Sequence, residues 1–480
     1  MPRSLTRTLL PLLLCFFARP VLAQSYHAIN GSPYAGAAGM YVNPANTVNS
    51  AHKWDVALFG LQFTTSNSAF YITQMSVTHP DSSVAHTTNT TGDRSFHNNV
   101  DLSLLNILYK IDDKQAVAFG LRGRMYNHAV AAPFNYSDTV TGPQGFLTEN
   151  SSIPFLEGYG THAAWLEADL NYSRVLAETE NTRLSGGITI GLQKSISGAH
   201  GDAQKVSFLK QTDNNGNIYF VPTGGIVTAE YSANYDTVQN VNGDVNLSDF
   251  FKGTHSSLNL SFGFEYLIKP EYGGDEPVGP LNYLWKFGLS VMDIGTNTYQ
   301  PSSGSFRASA PLSSFSDLAL QQKLANAGSL QRIQDSLRTA FATLDSLSAP
   351  FTIANPTRIV LSADRKLGRN LYVNGELNVN LFSTRIQEKL KTREINLLTI
   401  TPRWETRAFG FYLPIQYNSE KQFWVGAAVK LGPLLLGVHS LDFINWFKTG
   451  TQTFNGGAYL LLSIHPFGKK EHDDAKCPHA

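Results

Sequence analysis

The chain has 480 residues with 37 basic and 37 acidic side chains, so its formal net charge is zero. This balance gives no electrostatic reason to expect nucleic acid or another polyanion as a partner. Charged residues are only 15% of the chain and aromatic residues reach 11%, which is unusual for a soluble domain and favours a chain that meets lipid on one face.

The first residues are typical of an export signal. Two arginines precede an apolar run, Leu9 to Phe17, and Val21-Leu22-Ala23 resembles a cleavage site. The run is too short to cross a bilayer as a helix. Residues 1–23 are therefore predicted to be a signal peptide, and its removal would leave Cys477 as the only cysteine, without an intrachain disulfide.

Residues 24–52 are rich in small side chains and lack the pattern of a strand. A run of Gly and Ala at 35–39 allows close backbone approach, and the Asn-Pro step forces an extended or turn conformation at Asn43. One interpretation is a flexible linker. The other, which we adopt as the prediction, is a compact plug inside a lumen, with a turn formed by Asn43, Pro44, Ala45 and Asn46.

Residues 53–467 are predicted to form about fourteen strands. The clearest strand is Leu371–Phe382, where Leu, Val and Gly alternate with Tyr, Asn and Glu. Side chains of a strand alternate between its two faces, so this strand has one apolar and one polar side. The other predicted segments are Trp54–Phe63, Val100–Ile111, Ala116–Tyr126, Ala164–Arg174, Leu184–Gln193, Leu258–Tyr266, Trp285–Val291, Arg358–Lys366, Ile395–Thr406, Phe409–Tyr417, Gln422–Leu431, Leu434–Phe443 and Gly456–Phe467.

The connections between these segments alternate between short turns and long loops. The long ones are 64–99, 127–162, 194–257 and 296–356. This alternation is typical of a membrane barrel with tight periplasmic turns and long outer loops. The prediction is an all-β protein: a single transmembrane antiparallel β-barrel of about 14 strands in the outer membrane. A soluble sandwich or propeller is the alternative, and it would bury the same apolar faces against each other.

Two segments depart from the strand pattern. Residues 316–347 carry apolar side chains at helical spacing, which predicts a helical insertion in an outward loop. It is interpreted as a cap on other loops, with a partner-binding helix as the alternative. Residues 468–480 are predicted to be a polar periplasmic tail; their His, Asp and Cys residues have no spacing that identifies a metal site, so no metal or cofactor is predicted.

Charged residues recur on the polar faces of the predicted strands, where they would line the lumen. Both signs occur together, so a paired network is expected, which either keeps the pore closed or only makes the barrel rigid. Mixed signs are unfavourable for an ion-selective porin. The residues are Arg122, Arg124, Glu167, Asp169, Glu265, Lys286 and Glu376.

Two short stretches carry a family resemblance. Ala35-Gly36-Ala37-Ala38-Gly39 with Asn43-Pro44-Ala45 is similar to the N-terminal hatch of FadL-like transporters, and Gly288–Gly295 resembles a strand end in that group and in Bacteroidota outer-membrane proteins of unassigned function. The resemblance implies a fourteen-stranded barrel plugged by its hatch, which moves hydrophobic molecules across the outer membrane.

The function predicted from these features is passive uptake of small hydrophobic compounds, such as fatty acids, through a plugged channel. The alternative is a scaffold or secretion-associated barrel that binds a protein partner through its long loops. An outer-membrane hydrolase is disfavoured, because His255-Ser256 and His439-Ser440 are sequence neighbours on opposite strand faces, and no enzyme is predicted. The expected partners are outer-membrane lipid, the barrel-assembly machinery and a small hydrophobic ligand.

Overall fold

The fold is a closed barrel of fourteen antiparallel strands, each paired with the next and the last paired with the first. The computed structural model describes residues 26–75, 84–87, 92–136, 140, 142–234, 254–270, 282–311, 341–381, 390–448, 450–452 and 455–465. The barrel strands are β1 Trp54–Asn67, β2 Arg94–Lys110, β3 Gln115–Ala131, β4 Leu156–Glu178, β5 Thr182–Thr212, β6 Ser256–Ile268, β7 Trp285–Tyr299, β8 Arg358–Gly368, β9 Leu371–Asn380, β10 Leu397–Glu405, β11 Phe409–Tyr412 with Ile415–Asn418, β12 Phe423–Val425 with Ala427–Leu431, β13 Leu434–Val438 and β14 Ala458–Ile464.

Each of the fourteen predicted segments corresponds to one barrel strand, so the predicted fold class is confirmed. The breaks in β11 and β12 fall at Pro414 and Gly426. Proline has no N–H to give to a sheet, and a Cβ at Gly426 would lie 2.4 Å from the Val438 carbonyl oxygen. These breaks explain why the alternation is irregular in this part of the sequence.

The apolar faces point outward, as in a membrane barrel. On β9, Leu371 and Leu377 are 43% and 39% exposed, whereas Asn374 and Glu376 on the opposite face are 1% and 2% exposed. A soluble sandwich or propeller would show the reverse, because its apolar faces meet inside. Among the described residues, no helix is long and apolar enough to cross a membrane.

Two rows of side chains bound the outward apolar surface. Near the short turns lies an aromatic belt of outward-facing Trp54, Tyr109, Tyr172, Tyr266 and Trp404. At the other end, hydrogen bonds of 2.7–3.4 Å connect a polar ladder across β1–β5. The ladder consists of Thr65, Asn98, Asn127, His162 and Ser197.

The distance between the two rows fits a hydrocarbon layer. Asn98 and Tyr109 lie on β2, 11 positions apart, which is about 36 Å along the strand and roughly 27 Å across the membrane at a tilt of about 40°. The surface between the rows is called the apolar band below. Not every tryptophan belongs to the belt: Trp165 and Trp424 point into the lumen and are 0% and 2% exposed.

Several strands run beyond the apolar band, where the sequence predicted loops. β5 has 31 residues rather than the ten of the predicted segment, and most of the predicted loop 194–257 that the structure describes is strand. Outside the membrane both faces of a strand meet water or protein, so alternation is lost. The additional strands are Phe70–Met75, Val84–Thr87, Ile218–Tyr231, Phe306–Pro311, Phe341–Ser346, Phe351–Ala354 and Gly450–Gln452.

The predicted helix at 316–347 is wrong in the part that the structure describes. Phe341–Ser346 is a strand that pairs with Phe306–Pro311, and residues 312–340 lie outside the described residues. The predicted strand end at 439–443 is also wrong, because Ser440 accepts a hydrogen bond from the Asp442 N–H and starts a 3-10 helix, Leu441–Phe447. The other helices within the described ranges are Gly36–Tyr41, Pro44–Asn49 and Gly142–Glu149.

The predicted signal peptide and the polar tail lie outside the described residues, as does the end of the last predicted segment at Phe467.

Candidate functional site

The N-terminal segment, Tyr26–His52, lies inside the barrel with nearly all of its residues buried. Its glycines allow it to pack closely. Gly36 has φ of +58°, which favours glycine, and a Cβ there would lie 2.4 Å from Asp55. A Cβ on Gly39 would lie 2.2 Å from the Asn46 side chain. The run of small residues therefore serves close contact with the wall and within the segment itself.

The predicted Asn-Pro turn lies against β5 and β6. The Asn43 side chain accepts a hydrogen bond from the Ala45 N–H at 3.0 Å and donates one to the Phe264 carbonyl at 2.9 Å. Pro44 begins the second 3-10 helix, where its missing N–H costs nothing. The wall makes room for this turn, because a Cβ on Gly187 would lie 2.3 Å from the Pro44 carbonyl.

Four carboxylates of the wall hold the segment from different sides. Glu265 on β6 accepts hydrogen bonds from Asn46 and Asn49 at 3.1 and 2.8 Å. On β9, three strands further round the barrel, Glu376 accepts one from Asn30 at 3.1 Å. Two further hydrogen bonds run from Ser32 Oγ to Glu405 at 2.7 Å and from the Ala37 N–H to Asp55 at 2.9 Å.

The segment ends at a pair of stacked imidazole rings. His52 lies on the ring of His465, with centroids 3.9 Å apart. Burial lowers the pKa of His52 to about 2, so its ring is neutral at any physiological pH. The segment therefore meets the end of β14 through a ring contact in which His52 carries no charge.

A cluster of buried charges lies next to the N-terminal segment in the lumen, and Asp293 is at the centre of this cluster. The Asp293 carboxylate accepts hydrogen bonds from Arg124 at 2.7 Å and Arg358 at 2.6 Å, and lies 3.5 Å from Arg122. Three guanidinium groups thus surround one carboxylate. Further carboxylates complete the cluster: Asp101, Glu167, Asp169 and Glu394.

Asp293 reaches the lumen because of a bulge in β7. The pairing of β7 with β6 shifts between Val291 and Ile294, and Asp293 has φ of +60°. A positive φ at a non-glycine residue costs free energy and persists only where the surroundings hold it. The Asp293 N–H donates to Ser261 Oγ at 2.9 Å, and Thr357 Oγ1 donates to the Asp293 carbonyl at 3.1 Å.

The charge cluster contacts the N-terminal segment at Tyr41. Arg358 donates a hydrogen bond to the Tyr41 carbonyl at 3.1 Å, and the Arg122 guanidinium lies 3.8 Å from the centroid of the Tyr41 ring. Tyr41 OH donates to Asn106 Oδ1 at 2.8 Å. The cluster and the segment are therefore connected by one residue that three wall side chains hold.

Part of the inner wall of β1 and β11–β14 is apolar. It packs against Tyr26, Ile29 and three alanines of the N-terminal segment. The wall side chains in this contact are Ala57, Tyr412, Ala428, Leu435, Tyr459 and Leu461.

A narrow cavity remains between the segment and the charge cluster, lined by Tyr26, Tyr41, Arg122, Glu265 and Arg358 among others. The volume that the centre of a water molecule can reach is ≈ 40 Å³, enough for about three waters. This cavity therefore admits no larger solute in this conformation.

All seven predicted lumen charges lie on the inner face and are buried. Arg122, Arg124, Glu167 and Asp169 come together in the charge cluster. Lys286 lies 3.8 Å from Glu265, and Glu376 lies apart from both groups, 3.7 Å from His27 of the segment.

The sequence pattern did not predict the roles of Asp293 and Arg358 or a second charge cluster. In that cluster Arg403 donates to Asp364 at 2.6 Å and to Glu405 at 2.8 Å. The inward face of Arg358 could have been predicted from the alternation of its strand, whereas the predicted segment that contains Arg403 alternates poorly. Strand alternation does not predict that Asp293 points inward, because the bulge turns its side chain to the face opposite the one that alternation assigns.

The two His-Ser neighbours have other contacts. The His439 ring lies 5.4 Å from His27 and 4.8 Å from Tyr459 between centroids, while Ser440 caps the following 3-10 helix. The backbone carbonyl of His255 accepts from Ser195. Within the described ranges, no three His, Cys, Asp or Glu side chains are placed to bind one metal ion.

Several solved structures resemble the fold. The toluene transporter TodX of P. putida has a TM-score of 0.44 at 10% identity, with 91% of this chain and 95% of that chain covered. A Pseudomonas aeruginosa FadL homologue has 0.40 at 10%, with 92% and 97% covered. The Ralstonia pickettii toluene transporter TbuX has 0.39 at 9%, with 89% and 92% covered. The expected resemblance to FadL-like proteins is thus found, at a similarity that shows no function.

No curated protein matches the chain in sequence. A model described as a family of unknown function, DUF5723, matches residues 44–438. Since this range spans the barrel from the Asn-Pro turn to the end of β13, the chain belongs to the DUF5723 family.

Proposed function

We propose that this protein is an outer-membrane channel for small hydrophobic compounds, such as fatty acids, and that the N-terminal segment is its plug. The apolar contact between the segment and the inner wall of β1 and β11–β14 carries this proposal. If the segment moves away from that wall, the surface it uncovers is aromatic and aliphatic. A hydrophobic solute gains from such a surface, whereas a sugar or ion does not.

The contacts of the plug are suited to reversible movement. On the polar side it is held by hydrogen bonds to Asp55, Glu265, Glu376 and Glu405. Each such bond contributes only about 1–3 kcal/mol net, because water replaces it when the groups separate. On the apolar side the contacts are between apolar side chains without hydrogen-bond partners to replace, so a hydrophobic solute can take the place of the segment. The charge cluster next to the plug contains paired positive and negative side chains. It therefore presents no row of charges of a single sign, which disfavours ion conduction.

Deleting residues 26–50 tests the plug. The wild-type barrel in liposomes should exclude sugars, because its cavity admits only a few waters. The deletion variant should admit sugars at a rate at least tenfold higher, measured by liposome swelling. A matched control replaces the exposed outer turn Asp213–Asn217 by Asn-Gly, which suits a hairpin and leaves the lumen untouched. The control should exclude sugars as the wild type does.

Uptake of a fluorescent fatty acid by the same liposomes tests the solute class. Uptake through the wild-type barrel should exceed that of protein-free liposomes, while a sugar of similar size stays excluded. Ala428→Asp places a carboxylate on the apolar inner wall and should reduce this uptake, because the solute would have to pass a charge. If neither solute enters through wild type or deletion variant, the transport proposal fails.

A second candidate function is a scaffold that binds a protein partner. The observation in its favour is the sheet that extends beyond the membrane, where the outer part of β5 pairs with Ile218–Tyr231, which in turn pairs with Phe306–Pro311. Leu209 on this sheet is 53% exposed. Failure of both uptake experiments would favour this function.

A further inference from the structure

The outward face of β12, β13, β14 and β1 carries a trough that the proposed channel does not use. Two cross-strand rows of side chains define it. The row nearer the aromatic belt is large and consists of Val429, Leu436, Leu460 and Leu61, paired in that order. The next row is smaller and consists of Ala427, Val438 and Ala458.

At the β1 end of the small row lies an aromatic ring, Phe63. Phe63 on β1 packs against Phe443 of the 3-10 helix Leu441–Phe447, with ring centroids 5.3 Å apart. This helix lies where β13 ends after only five residues. The small row thus has a ridge of aliphatic side chains along one side and an aromatic ring at its β1 end, and the trough has a volume of ≈ 460 Å³.

The dimensions of the trough suit one linear chain. Its length, measured across four neighbouring strands, is about 14 Å. Its width, measured along the strands, is that of one cross-strand row, about 7 Å. Every side chain that lines it is aliphatic or aromatic. The wall of a second barrel is too broad to enter a recess of this width, so the trough does not fit a second copy of the chain.

The trough lies within the hydrocarbon layer. On β1, Phe63 is two residues from Thr65 of the polar ladder, and Trp54 of the aromatic belt is at the opposite end. The trough therefore faces the outer half of the apolar band, where the surrounding medium consists of acyl chains. We propose that it is a lipid-binding site that holds one acyl chain of a membrane lipid in a fixed position.

Lipid retention in native mass spectrometry tests this site. The barrel is reconstituted in vesicles of phosphatidylethanolamine and phosphatidylglycerol and then extracted in mild detergent. The wild type should retain one lipid per chain. Ala458→Phe fills the small row and should retain about tenfold less, which corresponds to losing the burial of about two methylene groups. Ala427→Phe provides a second filling variant should the first not fold.

The matched control is Ala168→Phe, which adds the same side chain to the apolar band on β4, between Leu121 and Leu192. It should retain lipid as the wild type does. Equal retention by the filled variants and the wild type would overturn the proposal, as would a wild type that carries no lipid. Detection of a dimer of the barrel without bound lipid would overturn the proposal as well, since a second copy of the chain would then cover this face.

Discussion

Replacing Asp293 by alanine should lower the free energy of unfolding of the barrel by about 3–5 kcal/mol, the usual effect of removing one partner from a buried ion pair. The Asp293 carboxylate is within 3.5 Å of three guanidinium groups, and Arg358 is only 2.6 Å away. Without this carboxylate, several positive charges remain close together and away from water. Denaturant unfolding of the folded barrel in lipid vesicles measures the change.

Two further variants separate the charge of Asp293 from its backbone conformation. Asparagine tolerates a positive φ almost as well as aspartate, so Asp293→Asn removes the charge alone and should still destabilise the barrel clearly. Adding Arg358→Met to Asp293→Ala removes one of the unpaired cations and should restore part of the lost stability, which a double-mutant cycle detects.

Glu180 provides the control, since it is an exposed carboxylate in the turn between β4 and β5. Glu180→Ala should change the unfolding free energy by less than about 0.5 kcal/mol. If Asp293→Ala costs no more than Glu180→Ala, then Asp293 is not the centre of the charge cluster, and the connection from the cluster to Tyr41 loses its support.

The period-2 pattern predicted the barrel because lipid and lumen impose opposite demands on neighbouring residues. A strand such as β9 must place Leu371 and Leu377 toward hydrocarbon and Asn374 and Glu376 toward a polar interior. Within the apolar band this rule has few exceptions, so all fourteen strands were visible in the sequence. Their inward-facing charges followed from the same parity.

Beyond the membrane the same rule no longer applies, which explains the main errors. The outer part of β5 and the strand Phe341–Ser346 meet water or neighbouring strands on both faces, so their sequences do not alternate and resemble loops or a helix. The charge cluster was only half predicted for a different reason. The bulge at Met292 and Asp293 places both side chains inside, and a bulge cannot be found by counting alternate residues.

The contacts of the N-terminal segment could not be predicted from the sequence either. The run of small residues indicated close packing, and the segment does lie inside the barrel. Its partners depend on which strands face which part of the segment, and the closed barrel brings Glu265 and Glu376 to different parts of it. These residues are 111 positions apart in the chain, and nothing local in the sequence relates them.

Replacing Leu121 by arginine should destabilise the barrel by about 2–4 kcal/mol, the cost of an arginine facing lipid near the middle of a bilayer. Leu121 faces outward on β3 between Leu105 and Ala168. It is four residues from Val117, at the level of the aromatic belt, and six from Asn127 of the polar ladder. The unfolding free energy in vesicles measures this cost.

Val117→Arg is the matched variant, because Val117 faces outward on the same strand but pairs with Tyr109 and Tyr172 of the belt. There the guanidinium reaches the lipid headgroups, and the expected cost is only about 0–1 kcal/mol. The difference between the two variants depends on depth in hydrocarbon and on nothing else in the fold. In water both positions would tolerate arginine, since outward-facing substitutions usually change stability by less than about 0.5 kcal/mol. Equal costs at Leu121 and Val117 would therefore contradict membrane residence, and with it the apolar band, the trough and the channel.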